Sequence, residues 1–417
     1  MPAIDTALSS DVQREILPNG LTVLLKEVYP AQVVSVGLWA KVGSADEPEA
    51  VAGVSHFLEH MVFKGTPTRP VGTISQEVHG LGGYMNAFTS YDCTCYWMVV
   101  PSAHLDTALD IQADALLHSL FDPGEVARES HVILEELRMY EDRPGSFCHQ
   151  KLMGLLFSGH PYGRPIIGHA DIIAGLSRAG LVDWYRQHYQ PANLTLVLVG
   201  ALDPDRTLER VSVLMGRMAP LPVARQSPAP LPPFQATRLD LQGPIHSAHW
   251  RMGFRLPCIT SDEAYACDLL CSMLGGGRSS RLYQALRERR GLVAQVGSSV
   301  SFERGAGALH IEALHGPGRA DEVGDAIRQE IDRLQQARVP SDELQKAKNM
   351  VEAAYVFAQE TVEGQGRKLG YDEMVDDYRL TERYIERLYQ VTADEVLERA
   401  RHYLAVDQAA VVTYGPC

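Results

Sequence analysis

Residues 181–200, LVDWYRQHYQPANLTLVLVG, decide the fold, because a similar stretch, VLERARHYLAVDQAAVVTYG, recurs at residues 396–415. Each stretch predicts a helix that ends at a His-Tyr pair, a short turn, and an apolar strand that ends at a glycine. The two His-Tyr pairs are 214 positions apart, and Gly200 and Gly415 are 215 apart. This nearly equal spacing favours an internal duplication over a chance likeness of amphipathic elements.

An alternating apolar pattern near the start of each half predicts a half-buried strand. Within each half, strands come first, helices follow and a strand returns, with turn signals such as Pro18-Asn19-Gly20 before the strand at 21–28. This order predicts an α+β fold with two similar duplicated domains, each a mostly antiparallel sheet with helices packed on one face. The alternating residues are Val34, Val36, Leu38, Ala40 and Val42 in the first half, and Ala248, Trp250, Met252 and Phe254 in the second.

A proline-rich run separates the halves. Residues 219–233, APLPVARQSPAPLPP, contain six prolines, and proline supplies no backbone donor and fixes its own φ. We therefore predict an N-terminal domain at 1–218, an extended linker at 219–233 and a C-terminal domain at 234–417.

The composition excludes several classes of protein. A formal net charge of −14 argues against a nucleic-acid binder, which needs a basic surface. The sequence contains no run of 18 or more apolar residues, so we expect no transmembrane helix. Residues 1–20 do not have the pattern of a signal peptide. The seven cysteines are odd in number and are not spaced like a disulfide framework, so we expect a reducing, cytoplasmic location, or a periplasmic one if a signal has been removed.

The segment at 53–66, GVSHFLEHMVFKGT, contains His56, Glu59 and His60 in an HxxEH pattern. In a helix His56 and His60 are one turn apart on one face, where two imidazoles can bind one Zn²⁺. Glu59 lies on the same side, where a carboxylate can take a proton from an attacking water. Phe57 and Leu58 turn away toward a core. HxxEH is the motif of the inverzincins, although five residues alone also occur on surface helices.

A catalytic zinc needs a third protein ligand and an open position. The segment at 124–143, GEVARESHVILEELRMYEDR, is strongly helical in pattern and offers Glu129, Glu135, Glu136 and Glu141. Glu129 and Glu136 are seven residues apart and share a face, whereas Glu135 is rotated by about 100° from Glu136. Spacing alone does not choose among the four.

These motifs resemble the pitrilysin family of zinc metallopeptidases, in particular its short two-domain type, which includes the beta subunit of mitochondrial processing peptidase and bacterial homologues. In that family the third ligand is a glutamate about 76 residues after HxxEH that closes an E-x6-E pattern, and Glu136 is 76 residues after His60. The resemblance therefore implies one Zn²⁺ per chain on His56, His60 and Glu136, Glu59 as the catalytic base, and Glu129 orienting a ligand histidine.

The resemblance extends over nearly the whole chain. Residues 82–97, GGYMNAFTSYDCTCYW, are similar to a family strand at the edge of the sheet, where a peptide substrate binds as an added strand. This implies that Asn86, Ala87 and Phe88 contact the substrate, although Phe88 is also suited to core packing. The segments HPYGRPIIG at 160–168 and LGGGRSSRLYQALRERRGL at 274–292 resemble further family segments.

One departure from the family concerns assembly. Family members form a clamshell of four similar domains, and in the short type two subunits supply them, with an Arg and a Tyr seven residues later contributed by the partner's second domain. Arg287 matches the Arg, but the position of the Tyr is Ala294. The resemblance implies that the two domains of this chain form half of the clamshell. The second half contains no HxxEH. We expect a heterodimer with a homologous subunit that supplies the Arg/Tyr pair, with a homodimer as the alternative.

The sequence thus predicts a zinc-dependent endopeptidase that hydrolyses peptides or unfolded polypeptides in an enclosed chamber. The alternative is a non-catalytic scaffold subunit, a role that some family members have, usually with disrupted zinc motifs.

Overall fold

The computed structural model describes residues 11–219, 225 and 227–417, and it contains a six-stranded sheet and a five-stranded sheet. The first sheet has the strand order β1-β2-β6-β3-β5-β4. Strands β2 and β6 are parallel, and all other neighbours in this sheet are antiparallel. The strands are β1 (Val12–Ile16), β2 (Thr22–Glu27), β3 (Val33–Ala40), β4 (Tyr84–Thr89), β5 (Thr94–Pro101) and β6 (Leu194–Gly200).

The helices of the first half, except α5, cover one face of this sheet. The alternating side chains Val34, Val36 and Leu38 of β3 point into the main core with the apolar faces of these helices. The helices are α1 (Val54–Val62), α2 (Thr73–Gly80), α3 (Leu105–His118), α4 (Pro123–Asp142), α5 (Pro144–Leu156), α6 (Ala170–Gly175), α7 (Arg178–His188) and α8 (Pro204–Met215). Short 3-10 turns lie at Ser44–Asp46, Glu49–Val51, Ser102–His104, Pro161–Gly163 and Pro191–Asn193.

The second sheet repeats the first without β1. Its order is β7-β11-β8-β10-β9, again with one parallel pair, β7 and β11, and antiparallel neighbours elsewhere. The strands are β7 (Thr237–Gly243), β8 (Ala248–Leu256), β9 (Val293–Phe302), β10 (Gly307–His315) and β11 (Ala410–Pro416). The helices are α9 (Ala264–Gly275), a π-helical segment (Tyr283–Arg289), α10 (Ala320–Gln336), α11 (Ser341–Ala358), α12 (Val362–Val375), α13 (Leu380–Gln390) and α14 (Ala393–Tyr403), with a 3-10 turn at Val406–Gln408.

Each compact unit includes a segment from the other half of the sequence. Helix α12 packs in the first unit against β3 and β6, on the face opposite α1, and α5 packs in the second unit against β8 and β11. The first unit comprises Met1–Leu137, Pro165–Ser227 and Val356–Glu382, and the second comprises Arg138–Arg164, Pro228–Tyr355 and Arg383–Cys417.

The fold class predicted from the sequence, α+β with two similar domains, is confirmed. The predicted layer of helices on one face is present in the first unit, and α12 additionally covers the opposite face of that sheet. Within the predicted linker, residues 220–224 and 226 lie outside the described residues, and the others are in neither helix nor strand. Among the described helices, none is both long and apolar enough to cross a membrane.

Candidate metal and active site

Helix α1 carries the HxxEH segment and is anchored at both its N-terminus and its apolar face. The carboxylate of Glu47 accepts hydrogen bonds from the amides of Gly53 (2.6 Å) and Ser55 (2.7 Å), so two amides at the start of the helix that have no partner within it are satisfied. Gly53 has φ 97°, and a Cβ there would lie 2.6 Å from the carbonyl oxygen of Ile167. Phe57 is fully buried in the main core. The side of α1 that carries His56 and His60 therefore faces away from the core.

The two histidines of α1 and one glutamate of α4 converge. Nε2 of His60 lies 3.6 Å and Nε2 of His56 lies 3.9 Å from Oε2 of Glu136. One donor atom from each of the three residues lies within 4.8 Å of the others. Among the described residues, this is the one group of three or more His, Cys, Asp or Glu side chains that is close enough to hold a metal ion.

Glu129, two turns before Glu136 on α4, contacts the other ring nitrogen of His60. Its Oε2 lies 3.1 Å from Nδ1 of His60, and its Oε1 accepts a hydrogen bond of 2.5 Å from Nζ of Lys64. Nδ1 of His56, by contrast, is buried without a hydrogen-bond partner among the described residues. Lys64 was not predicted from the sequence, although it follows His60 by four residues and lies just after the C-terminal end of α1.

The electrostatic environment differs between the two histidines. Burial, together with the nearby His60, lowers the pKa of His56 to about 4. Burial also acts to lower the pKa of His60, but the hydrogen bonds to Glu129 and Glu136 outweigh it and raise that pKa to about 9. The pKa of Glu129 is lowered: burial acts to raise it, but the hydrogen bonds with His60 and Lys64 outweigh burial. The pocket is therefore arranged to hold positive charge between Glu129 and Glu136.

Glu59, the predicted base, lies beside this group and is held by strand β4. Oε2 of Glu59 accepts a hydrogen bond of 2.8 Å from the hydroxyl of Thr89, the last residue of β4. Burial raises the pKa of Glu59, and the hydrogen bond from Thr89 opposes this effect. Thr89 was not singled out from the sequence, because its contact depends on the distance between α1 and the end of β4.

The three residues predicted to contact substrate lie on β4, at the edge of the first sheet. Ala87 packs on the α1 side, whereas Phe88 faces the opposite side, with its ring 5.5 Å from that of Trp39 and under the guanidinium of Arg367. The side-chain oxygen of Asn86 accepts a hydrogen bond from the Ala87 amide. The structure thus brings the strand to the site but turns Phe88 away from the histidines.

The donor set fits a divalent transition metal. Two imidazoles and one carboxylate form a catalytic zinc set, which leaves a fourth position for water or substrate. The side chains of His56, His60 and Glu136 are 12%, 21% and 25% exposed, so the cluster is accessible to solvent while largely enclosed. Glu135, exposed on α4, is not part of the cluster.

The second unit contains Arg287 and Ala294, the two positions that correspond to the Arg/Tyr pair of the family. Arg287 is exposed and its guanidinium lies 5.3 Å from the ring centroid of Tyr283. Ala294 is exposed on β9, which is an edge strand of the second sheet as β4 is of the first. No phenol occupies the position seven residues after Arg287.

Comparison with known proteins decides the family. The family model described as Insulinase (Peptidase family M16) matches residues 22–170, and the model described as Peptidase M16 inactive domain matches residues 175–351. A Mycobacterium tuberculosis protein named as an uncharacterized zinc protease is 33% identical over 421 residues, which cover 99% of this chain and 95% of the relative. The chain belongs to peptidase family M16. The resemblance seen in the sequence is thereby confirmed, and the short two-domain type fits this M16 chain.

Other M16 proteins are similar over the same length. The Bacillus subtilis protein YmxG, named as an uncharacterized zinc protease, is 29% identical over 399 residues, which cover 95% of this chain and 97% of that one. The crystal structure of a protease from Helicobacter pylori aligns with a TM-score of 0.92 at 23% identity, over 97% of this chain and 99% of the other. This structural likeness shows that the M16 chain has the same fold over the aligned 97% of its length.

Proposed function

We propose that this chain is a zinc-dependent endopeptidase in which His56, His60 and Glu136 hold one Zn²⁺ and Glu59 is the catalytic base. The observation that carries the proposal is the convergence of three donor atoms within 4.8 Å beside the half-buried carboxylate of Glu59. The names of the relatives, zinc proteases, support the choice of metal.

The roles of the residues follow from their positions. A zinc ion bound there would supply Lewis-acid chemistry for the attack of water on a peptide carbonyl. Glu59 would accept the proton of the attacking water and pass it to the leaving amine. Glu129 would hold the ring of His60 in its ligand orientation. The free edge of β4, with Asn86, Ala87 and Phe88, would bind an unfolded peptide as an added strand.

The variant Glu59→Gln tests the assignment of the base. Gln keeps the shape of Glu but cannot accept a proton, so the variant should retain about one zinc per chain and lose at least about 100-fold in kcat. Zinc content by atomic absorption and cleavage of an unstructured fluorogenic peptide, with and without a chelator, measure the two properties.

The matched control is Glu135→Gln, which removes an exposed carboxylate outside the cluster and should behave like the parent chain. Parental turnover in Glu59→Gln would show that another group is the base. A parent chain that binds no zinc and cleaves no peptide, alone or with a homologous subunit, would instead favour the non-catalytic scaffold.

We further propose that the active form is a cytoplasmic heterodimer that encloses its substrate in a chamber. Arg287 is present and exposed, but Ala294 supplies no phenol to stabilise a developing oxyanion. A homologous subunit with an Arg/Tyr pair would complete the site. The alternative is a homodimer in which another group stabilises the oxyanion. The chain alone should be active as a homodimer, whereas a heterodimer needs the second subunit for full activity.

A further inference from the structure

The carboxylate that the proposed reaction needs is fixed by a residue from another element. We propose that Thr89 is a positioning residue: its hydroxyl holds Oε2 of Glu59, so that the carboxylate presents its other oxygen to the attacking water. This inference rests on the proposed peptidase function and adds to it the group that orients the base. The hydrogen bond is 2.8 Å long, and it joins the end of β4 to the last turn of α1.

Glu59 depends on this contact because it has few alternatives. Within the described part of the chain, the Thr89 hydroxyl provides the one side-chain hydrogen bond to Glu59, and the backbone of Thr89 acts on the same carboxylate. The carboxylate is buried enough for its pKa to be raised, so an unpartnered oxygen there would carry a desolvation cost. Without the hydroxyl, only the backbone contact with Thr89 remains, and we expect the carboxylate to occupy more than one χ orientation, because the terminal torsion of glutamate is broad.

Thr89 itself lies on rigid backbone. It pairs with Thr94 at the last position of the β4–β5 ladder, and the amide of Ser90, the next residue, donates to the carbonyl of Cys93 at 2.8 Å. The carbonyl of Ser90 in turn accepts a hydrogen bond of 3.0 Å from Ser44. Because the turn is held on both sides, the hydroxyl of Thr89 is a fixed donor, and a fixed donor can orient a catalytic group.

The loop before α1 is packed closely against the same turn. A Cβ on Gly43 would lie 2.5 Å from the carbonyl oxygens of both Ser90 and Tyr91, so the two backbones approach more closely than any side chain would allow. The position of Thr89 relative to α1 is therefore set by the backbone, and a substitution at residue 89 should alter the hydroxyl without moving the strand.

The same strand connects the base to the substrate. Along β4, Met85 and Ala87 pack on the α1 side, and Thr89 continues this alternation to meet Glu59. A peptide added to the free edge of β4 would thus be aligned by the strand whose last residue fixes the base. This arrangement gives Thr89 an effect on turnover rather than on peptide affinity.

Two variants separate the hydroxyl from the shape of the side chain. Thr89→Val removes the hydroxyl and keeps a β-branched residue in a strand, whereas Thr89→Ser keeps the hydroxyl. In the full chain, assayed with a homologous subunit if the parent requires one, Thr89→Val should lower kcat about 10- to 100-fold with KM within about twofold and zinc content unchanged. Thr89→Ser should retain most of the parental kcat.

Thr94→Val is the matched control, because Thr94 lies opposite Thr89 and its hydroxyl bonds the carbonyl of Val42 instead of the base. It should lower Tm but not kcat. Equal losses in Thr89→Val and Thr89→Ser, or parental kcat in Thr89→Val, would overturn the inference, and so would loss of zinc from Thr89→Val.

Crystal structures of the parent chain and the two Thr89 variants provide a readout that does not require turnover. We expect one orientation of the Glu59 carboxylate in the parent and in Thr89→Ser, and more than one, or a different one, in Thr89→Val. An unchanged Glu59 in Thr89→Val would refute the positioning role. If the parent is active and Glu59→Gln is not, such a result refutes only the role of Thr89, whereas an active Glu59→Gln refutes the proposed function itself.

Discussion

At the scale of single residues, Glu129 determines how one of the two histidines is presented. Its two oxygens are divided between Nδ1 of His60 (3.1 Å) and Nζ of Lys64 (2.5 Å). A carboxylate on the far nitrogen of a ligand histidine fixes its tautomer and raises its basicity. We predict that Glu129→Gln lowers zinc affinity about 10- to 100-fold, because an amide offers only one acceptor and no charge to the two donors. Competition with a chromophoric chelator measures the affinity.

Glu125→Gln is the control for this prediction, because Glu125 is buried one turn earlier on α4 and pairs with Arg128 instead of a histidine. It should bind zinc with parental affinity. Unchanged affinity in Glu129→Gln would mean that packing alone orients His60.

The sequence predicted these residues unequally. The positions of His56 and His60 followed from the helical period, because four residues make about one turn whatever surrounds the helix. The choice of Glu136 over Glu135 and Glu141 needed a family resemblance, since the distance between α1 and α4 is set by tertiary packing. Thr89 escaped prediction for the same reason.

At the scale of elements, α12 is the helix that the sequence did not place. Its residues Val362, Leu369 and Met374 pack with Trp39 and Trp97 on the second face of the first sheet. The sequence signal was present in β5, where residues 94–100, TCYWMVV, form an almost continuous apolar run, as is typical of a strand covered on both faces, and all seven residues are buried. An amphipathic pattern reveals that α12 has an apolar side, but not which sheet it covers.

The contact between α12 and β3 leaves no room at one glycine. A Cβ on Gly370 would lie 2.1 Å from Cε2 of the buried Trp39. We predict that Gly370→Ala destabilises the first unit by about 1–3 kcal/mol, because overpacking forces the ring or the helix to shift. Thermal unfolding followed by circular dichroism measures the loss.

Gly80→Ala is the matched control, because Gly80 ends α2 and a Cβ there meets no atom within 4 Å. Alanine is favoured over glycine in a helix, so this variant should be as stable as the parent or slightly more so. A parental Tm in Gly370→Ala would show that α12 is loosely packed against Trp39.

At the scale of the whole molecule, the two sheets have the same strand order apart from β1, so the elements of the second unit can be compared with those of the first. Strands β9 and β4 occupy corresponding edges, yet α9, which follows β8 as α1 follows β3, contains no HxxEH segment. The duplication therefore preserves the architecture while only the first unit holds the metal-donor cluster among the described residues. This division matches the family model named as an inactive domain, and it leaves the second unit free for a supporting role.

Ala294 tests what that supporting role is. If the proposed reaction needs a phenol from the second unit of a partner, the chain alone should cleave peptides slowly, and Ala294→Tyr should raise its kcat about 100- to 1,000-fold, the order expected for one oxyanion donor. The exposed position on β9 has room for the larger side chain. Ala294→Phe adds the same ring without the hydroxyl and should leave kcat at the parental value.

Addition of a homologous subunit with its own Arg/Tyr pair should stimulate the parent chain more than Ala294→Tyr. A parent chain as active alone as Ala294→Tyr would remove the chemical argument for a heterodimer, because another donor would then already serve the oxyanion.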